Sequence, residues 1–158
     1  MAVRKPGSKS QRIVISKTKE VDLPLIARIE ARTYGEESRW SLEEYQRDFV
    51  KNNRVYLTAK TKGEIAGWLV LHIREKSSYV VGITVVKKYR GRGLGKKLML
   101  KALKISGQHQ KPTRLHVKTG NRPAIRLYEN LGFKKRRKIL DYYKPDMDAY
   151  EMVKACNQ

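Results

Sequence analysis

Apolar residues along the chain follow two spacings, and each spacing predicts one type of secondary structure. Runs rich in β-branched and aromatic residues predict strands, whereas apolar residues repeated every three or four positions predict helices. The letters KGE separate two of the runs, which therefore predict a hairpin. The predicted strands cover residues 12–17, 54–61, 65–73, 78–86, 113–119, 133–143 and 149–155.

Capping residues mark the starts of the predicted helices. Asp22 is predicted to cap a first helix, and Ser41 with Glu44 forms a capping box that opens a second helix. Apolar residues from 94 to 105 recur at helical spacing and predict a third helix. Asn121 is predicted to cap a fourth. The pattern as a whole predicts an α/β sheet flanked by helices.

Length and charge limit the organisation of the chain and its partners. The 158 residues suit one compact domain, which we expect to cover residues 12–158, with residues 1–11 as a basic, flexible tail. The 36 Lys and Arg outnumber 15 Asp and Glu, giving a formal net charge of +21. Such an excess attracts nucleic acid, ribosomes, anionic surfaces or phosphorylated ligands, and it does not choose among them.

Cysteine content and hydropathy argue against several other classes of protein. Cys156 is the only cysteine, so a disulfide framework and a thiolate metal site are excluded. We therefore expect no metal and a reducing, cytoplasmic location. No apolar run approaches the roughly 20 residues that a membrane helix needs, so we expect no membrane association.

A basic, glycine-rich stretch, VVKKYRGRGLGKKLML (residues 85–100), joins a predicted strand to the third helix. A helix N-terminus has about four amide groups without intrahelical partners, and it attracts anions. The glycines leave these amides open to a phosphate, and the basic side chains surround them. These residues are Gly91, Gly93 and Gly95, with Arg90, Arg92, Lys96 and Lys97. A tight turn on a basic surface, without a ligand, is the alternative.

Three phosphate-binding motifs can be compared with this turn. A P-loop would need Gly at the position of Arg90 and Ser or Thr at that of Lys97. The dinucleotide fingerprint would need Gly or Ala where Lys96 stands. The pattern R-x-x-G-x-G does fit, through Arg90, Gly93 and Gly95.

A second motif lies downstream of the turn. Residues 121–133, NRPAIRLYENLGF, fit N-x-x-A-x-x-L-Y-x-x-x-G-F at every specified position. With both motifs in this order and spacing, the chain resembles the GNAT family of acetyl-CoA-dependent N-acetyltransferases over residues 12–155. The resemblance implies an α/β (α+β) fold, with a single mixed, mostly antiparallel sheet of six to seven strands and about four flanking helices.

The resemblance also implies acetyl-CoA as a cosubstrate, with its pyrophosphate on the glycine turn. Its pantetheine arm would pair with the end of the strand that covers residues 78–86. The implied cofactor-binding residues are Val85, Val86, Lys87, Arg90, Gly91, Arg92, Gly93, Leu94, Gly95, Lys96, Asn121 and Tyr128. Val85 and Val86 are equally ordinary core residues in their side chains, and Asn121 is equally a helix cap.

The C-terminal residues point to one branch of this family. Tyr142 and Tyr143, followed by Asp148, Ala149 and Met152, resemble the branch that acetylates protein N-termini, which includes ribosomal-protein acetyltransferases. In that branch the tyrosine pair holds the backbone of the first substrate residues. Burial in a strand is the alternative for both tyrosines. We also expect Tyr34 or Trp40 to line the substrate entrance.

Acetyl transfer needs a neutral amine, and this requirement selects candidate catalytic residues. An α-amine titrates near 8 and a lysine amine near 10.4, so an N-terminal substrate needs only a mild base. His116 suits that role, and the resemblance implies that it pairs with Tyr79. The resemblance also places Tyr128 beside the CoA sulfur as a proton donor. Packing in the core is the alternative for all three.

We therefore expect an enzyme that transfers acetyl from acetyl-CoA to the α-amino group of protein N-termini. Acetylation of lysine or a small amine is an alternative, although a basic surface repels polyamines. A nucleic-acid-binding or ribosome-binding protein on the same scaffold is another. The basic run Lys134 to Lys138 is either a docking site for such a polyanion or a solvated face. The oligomeric state is left open.

Overall fold

The computed structural model describes residues 11–35 and 40–156, so all but one residue of the predicted tail lies outside it. The strands are β1 (Ile13–Lys17), β2 (Arg54–Thr61), β3 (Glu64–Ile73), β4 (Ser78–Val85), β5 (Thr113–Lys118), β6 (Lys134–Lys144) and β7 (Met147–Lys154). The helices are α1 (Leu23–Tyr34), α2 (Leu42–Phe49), α3 (Leu94–Gln108) and α4 (Arg122–Asn130).

One sheet contains all of these strands, in the order β1-β2-β3-β4-β5-β7-β6. Neighbouring strands are antiparallel except for β4 and β5, which run parallel. The predicted mixed, mostly antiparallel sheet with flanking helices is thus confirmed. Because β7 inserts between β5 and β6, β6 is an edge strand, and its charged side chains suit that position.

Two of the three predicted helix caps form the expected hydrogen bonds. Ser41 Oγ accepts from the Glu44 amide at 3.2 Å, and Glu44 Oε2 accepts from the Ser41 amide at 2.7 Å. Asp22 occupies the N-cap position of α1 without bonding the helix amides, because its carboxylate accepts from Lys60 Nζ at 2.8 Å. None of the described helices is long and apolar enough to cross a membrane.

The strands β4 and β5 are joined over a very short length. Their pairing consists of Ser78 with Thr113 and Tyr79 with Arg114. Opposite β3, the register of β4 shifts between its pairs at Val80 and Gly82, which leaves one extra residue in β4, and such a bulge bends a strand. Beyond Tyr79 the two strands no longer pair, and a wedge opens between them.

Helices cover the two faces of the sheet unequally. Buried residues of α3 and α4 pack with β2 to β5 and β7 on one face. On the other face, the buried residues of α1 and α2 pack with β2 and β3. No described residue of β5, β6 or β7 belongs to that second cluster. Side chains of these three strands that point to the second face therefore lie beside the wedge without a helix above them.

Candidate active site

The glycine turn adopts a backbone conformation that requires glycine. Gly91 and Gly93 have φ angles of 74° and 75°, which side chains with a Cβ rarely adopt. Gly93 is the N-cap of α3, and its carbonyl accepts from the Lys97 amide at 3.1 Å. The amides of residues 94–96 therefore have no partner within the helix, which is what the predicted anion site requires.

The end of β4 is tied to its neighbours on one side. Val85 O accepts from Arg90 Nε at 2.9 Å, and the Val86 amide donates to Ala66 O at 2.9 Å. These particular backbone groups are thus engaged within the protein. A ligand in the wedge would use the backbone groups of β4 that face the gap beside β5.

The cations of the turn differ in whether a carboxylate lies beside them. Lys88 has one, because its Nζ lies 2.6 Å from Glu64 Oε2. The Arg90 side chain donates one hydrogen bond, from Nε, to Val85 O. Among the described residues, no carboxylate forms an ion pair with the other exposed cations of the turn, which are Lys87, Arg92, Lys96 and Lys97. Phosphate groups at the helix amides would meet this charge.

Gly95 marks the point where α3, β4 and α4 converge. A Cβ at this position would lie 3.5 Å from Leu127 Cδ2 and 3.8 Å from Val85 Cγ2. Larger side chains would fill the space between these elements. On α4, Asn121 Oδ1 accepts from the Ala124 amide at 3.3 Å. The predicted cap is therefore present. Leu94 is buried in the core and offers only its backbone.

Tyr79 and His116 meet at the closed end of the wedge. Tyr79 Oη lies 2.7 Å from His116 Nδ1, at hydrogen-bond distance. Tyr142 stacks on the imidazole, with ring centroids 4.5 Å apart and planes at 15°. On the other side, Arg74 Cζ lies 4.3 Å from the centroid of the Tyr79 ring. The two residues that the resemblance paired are thus in direct contact, although His116 lies two residues beyond Arg114, the last residue of β5 that pairs with β4.

Burial sets the protonation states of this pair. Desolvation lowers the pKa of His116, and Arg137 and Arg74 lower it further, while the carboxylate of Glu151 opposes them. Desolvation raises the pKa of Tyr79 far above its ordinary value, as does the neighbouring Tyr142. At neutral pH the imidazole is therefore neutral and the phenol protonated. This combination can accept a proton through the tyrosine hydroxyl.

Three more predicted tyrosine side chains surround the wedge. Tyr34 Oη lies 3.2 Å from Thr84 Oγ1 on β4. Tyr128 is buried on α4, and burial, with smaller effects of Tyr143 and Tyr34, raises its pKa to about 12. Burial likewise raises the pKa of Tyr143 to about 12. Tyr128 is protonated at neutral pH and can donate its proton to a neighbouring group.

The two tyrosines on β6, Tyr142 and Tyr143, are exposed rather than buried in the core. Tyr142 is 42% exposed and Tyr143 is 40% exposed. Their rings contact edge to face, with centroids 4.9 Å apart, and Lys118 Nζ lies 5.5 Å from the centroid of the Tyr143 ring. The alternative of simple burial is therefore wrong. Both side chains offer a surface to a ligand beside His116.

Trp40, the other residue expected at the entrance, lies in the layer of α1 and α2. Its ring contacts Tyr45, with centroids 5.4 Å apart, and lies 6.4 Å from His72. With Glu30 and Trp68 it lines a cavity of about 120 Å³. Of the two residues named for the entrance, Tyr34 is the one that the structure places near Tyr128.

Glu151 is a member of this site that the sequence analysis missed. Its side chain is buried on β7, and Oε2 lies 3.6 Å from His116 Nε2. Arg137 Nη2 donates to the same oxygen at 3.2 Å. The sequence signal was a glutamate between the apolar residues of AYEMVKA, but the cross-strand pairing of Glu151 with His116 depends on the insertion of β7 beside β5.

These features define a class of enzyme. The helix amides and free cations suit a donor that carries phosphates, and the neutral base beside exposed tyrosines suits an amine acceptor that must lose a proton. Fold and site together are therefore those of an acyltransferase.

The particular family follows from a comparison with family models. Residues 23–133 match the Acetyltransferase (GNAT) family, and the chain belongs to that family. The prediction of a GNAT-type N-acetyltransferase is thereby confirmed.

Two relatives are N-terminal acetyltransferases by name. The chain is 30% identical to an N-alpha-acetyltransferase of Sulfurisphaera tokodaii, over 62% of this chain and 67% of the relative. It is 34% identical to the N-terminal acetyltransferase B complex catalytic subunit NAA20 of Arabidopsis thaliana, over 67% of this chain and 59% of the relative. The match thus spans about three fifths to two thirds of these relatives.

Solved structures share the fold at lower identity. The ribosomal-protein-S18-alanine N-acetyltransferase of Escherichia coli superposes with a TM-score of 0.84 at 23% identity, covering 93% of this chain and 96% of that one. The structure of Arabidopsis thaliana NAA60 in complex with acetyl-CoA superposes with a TM-score of 0.78 at 24% identity, and the match covers 90% of this chain and 97% of that one. A spermidine N-acetyltransferase chimera from Vibrio cholerae and hSSAT superposes with a TM-score of 0.77 at 20% identity, and the match covers 90% of this chain and 95% of that one.

Replacing Gly93 by alanine tests the phosphate site. The matched control is Gly63→Ala, because the φ angle of Gly63 is +78° and that of Gly93 is +75°. A Cβ added at either position would meet no neighbouring group within 4 Å. Both variants should lose stability by about 1–2 kcal/mol, the cost of a left-handed alanine. Only Gly93→Ala should weaken acetyl-CoA binding, by about tenfold or more in calorimetry. Equal affinities in the two variants would contradict the phosphate site.

Proposed function

We propose that this protein transfers the acetyl group of acetyl-CoA to the α-amino group of protein N-termini, in the cytoplasm. The observation that carries the proposal is the contact of 2.7 Å between Tyr79 Oη and His116 Nδ1. This contact lies beside the exposed pair Tyr142 and Tyr143. The N-alpha-acetyltransferase relatives support the choice of acceptor.

The strength of the base fits an α-amine better than a lysine. At pH 7 about a tenth of an α-amine is neutral, against less than about a thousandth of a lysine amine. A histidine with a lowered pKa is a weak base. It can take the proton that an already neutral amine loses on attack, whereas it is poorly matched to deprotonating a lysine ammonium.

Each proton in the proposed reaction has a donor and an acceptor. The neutral amine attacks the thioester carbonyl, and as the new C–N bond forms its proton passes to Tyr79 Oη. The hydroxyl proton of Tyr79 moves to His116 Nδ1 in the same step. The C–S bond then breaks, and we assign protonation of the departing thiolate to Tyr128, whose hydroxyl is protonated at neutral pH. His116 returns its proton to solvent, and proton exchange with solvent restores Tyr128.

Support for acetyl-CoA as the donor comes from the turn at the start of α3. The open amides of residues 94–96 and the cations of the turn that lack described carboxylate partners suit its phosphates. The wedge leads from there to the Tyr79 hydroxyl, because β4 and β5 remain paired at Tyr79 and separate beyond it. The thioester at the end of the arm would thus approach the base.

Charge around the acceptor side argues against polyamines, although a spermidine acetyltransferase shares the fold. Arg74 lies over Tyr79, and Lys118 lies near Tyr143. Glu151, a carboxylate close to His116, is already surrounded by three arginines. A substrate with several positive charges would meet net repulsion at this entrance, whereas a peptide brings one ammonium group and polar amides.

Substrate preference can be measured directly with purified protein. Labelled acetyl-CoA is supplied with peptides varied at their first two residues, with N-terminally blocked lysine peptides, and with spermidine. We expect N-terminal acetylation with a kcat/KM about 100-fold or more above the other acceptors, as the difference in neutral fraction suggests. Faster transfer to lysine or spermidine would contradict the proposed acceptor.

Replacement of His116 by glutamine tests the base. We expect kcat to fall by about 10²-fold or more, with acetyl-CoA affinity unchanged. In the wild type, kcat should fall as the pH drops through the lowered pKa of His116, because the imidazolium cannot accept a proton. This acidic limb should be absent from His116→Gln. His109→Gln, at an exposed histidine after α3, is the control. Unchanged turnover in His116→Gln would remove it as the base.

We further propose that the exposed surface of α3 contacts RNA. Between residues 76 and 140 the only acidic residue is Glu129. In the predicted docking run, Lys135, Arg137 and Lys138 are paired with Glu129, Glu151 and Asp148, respectively. No carboxylate among the described residues pairs with the exposed lysines of α3, which are Lys96, Lys97, Lys101 and Lys104. Uncompensated charge of this kind suits a phosphodiester backbone.

Salt dependence of RNA binding tests this surface. The variant Lys101→Gln with Lys104→Gln lies outside the glycine turn, and Lys51→Gln with Lys62→Gln removes the same charge from the acid-containing half. Ribosomal RNA binding by the first variant should show a slope of log K against log salt that is smaller by about 2. The second should match the wild type. Peptide acetylation should be unchanged in both, and equal slopes in all three proteins would contradict an RNA surface on α3.

A further inference from the structure

Two ring nitrogens of His116 face two different groups. Nδ1 lies 2.7 Å from Tyr79 Oη on β4, and Nε2 lies 3.6 Å from Glu151 Oε2 on β7. His116 and Glu151 are direct cross-strand partners in the β5–β7 ladder. Their side chains share the second face of the sheet, in the part beyond the cluster that α1 and α2 form with β2 and β3. The imidazole therefore lies between a phenol and a carboxylate.

We propose that Glu151 is the positioning residue of a Tyr79–His116–Glu151 proton relay, in which it selects the imidazole tautomer that can accept the Tyr79 proton. This inference rests on the acetyl transfer proposed above, and it adds a residue to that site. Glu151 acts through His116 and does not itself contact the substrate.

The tautomer argument follows from the chemistry of neutral imidazole, which has one N–H group and one lone pair. With the proton on Nε2, the N–H points to the carboxylate and the Nδ1 lone pair accepts from Tyr79. With the proton on Nδ1, the lone pair on Nε2 would face the negative oxygen, and Nδ1 could not take the Tyr79 proton. Glu151 thus favours the tautomer that works as a base.

The carboxylate has capacity left for this role. Arg137 donates a hydrogen bond to Oε2, whereas Arg114 and Arg136 lie 3.8 Å and 3.9 Å from Oε1. Oε1 is buried and has no hydrogen-bond partner among the described residues. The three guanidinium groups offset the cost of burying a side chain that is 4% exposed. They do so without saturating its oxygens.

Glu151 also stabilises the charge that the reaction creates. When the Tyr79 proton reaches Nδ1, the ring becomes an imidazolium with both nitrogens protonated, and its Nε2–H faces the carboxylate. Loss of that proton to solvent restores the starting state, so no other reactant is needed. The charged or titratable groups that face the ring are Tyr79, Arg74, Tyr142, Arg137, Arg136, Arg114 and Glu151.

The tautomer can be measured in the wild-type protein without any assay of activity. Long-range proton–nitrogen NMR spectra of ¹⁵N-histidine protein separate the two tautomers, and His116→Gln identifies the signals of His116. We expect neutral His116 to carry its proton on Nε2. A proton on Nδ1, or an even mixture, would overturn the relay. This measurement needs no acceptor peptide. The tautomer can therefore disagree with the relay while peptide acetylation is observed, and peptide acetylation can be absent while the tautomer is as expected.

The variant Glu151→Gln gives a second, kinetic test. We expect kcat to fall about 10²-fold with KM for the peptide unchanged, a loss typical of a disturbed acid–base group. The acidic limb of kcat should shift to lower pH, since imidazolium loses its counter-charge. A purely structural role would lower the folded fraction and leave the limb in place.

Glu129→Gln is the matched control for this variant. Glu129 is an exposed carboxylate that lies 3.9 Å from Lys135 and outside the site. Its replacement should leave kcat and the pH profile as in the wild type. An acidic limb that stays at the wild-type pH in Glu151→Gln would overturn the proposal. If Glu151→Gln does not fold, the NMR measurement on the wild type decides alone.

Discussion

The site depends on one structural constraint, the early separation of β4 from β5. Only two residue pairs join these strands, and the bulge in β4 follows directly after them. Full pairing would fill the space between the strands with a hydrogen-bond ladder. Separation instead leaves a gap that runs from the amides of α3 to Tyr79. The proposed phosphate site and the proposed base would therefore serve the two ends of one extended donor.

Charge on this protein divides into two kinds with different consequences. Around Glu151, arginines compensate a buried carboxylate that lies beside the proposed base, His116. On α3 and the glycine turn, most lysines have no such partners among the described residues. The first kind sets protonation inside the site, and the second kind is available to phosphates. Net charge alone could not separate the two.

Local features of the fold were predictable, because their causes lie within a few residues. The capping box at Ser41, the cap at Asn121 and the glycine conformation at position 93 all follow from short-range chemistry. The cap by Asp22 failed as a hydrogen bond, because Lys60 on a distant strand takes its carboxylate. A distant contact also explains why Glu151 was missed: its place beside His116 depends on the non-local pairing of β7 with β5.

The edge strand β6 would link peptide binding to the strength of the proposed base, His116. Tyr142 stacks on His116, and the His116 side chain is still 15% exposed, so its imidazole is covered only in part. A peptide lying on Tyr142 would remove more water from the same ring. Desolvation already lowers the pKa of His116, and further desolvation lowers it more. In the proposed reaction a bound peptide would thus keep the imidazole neutral until a proton arrives from Tyr79, and the counter-charge of Glu151 would become more important as water leaves.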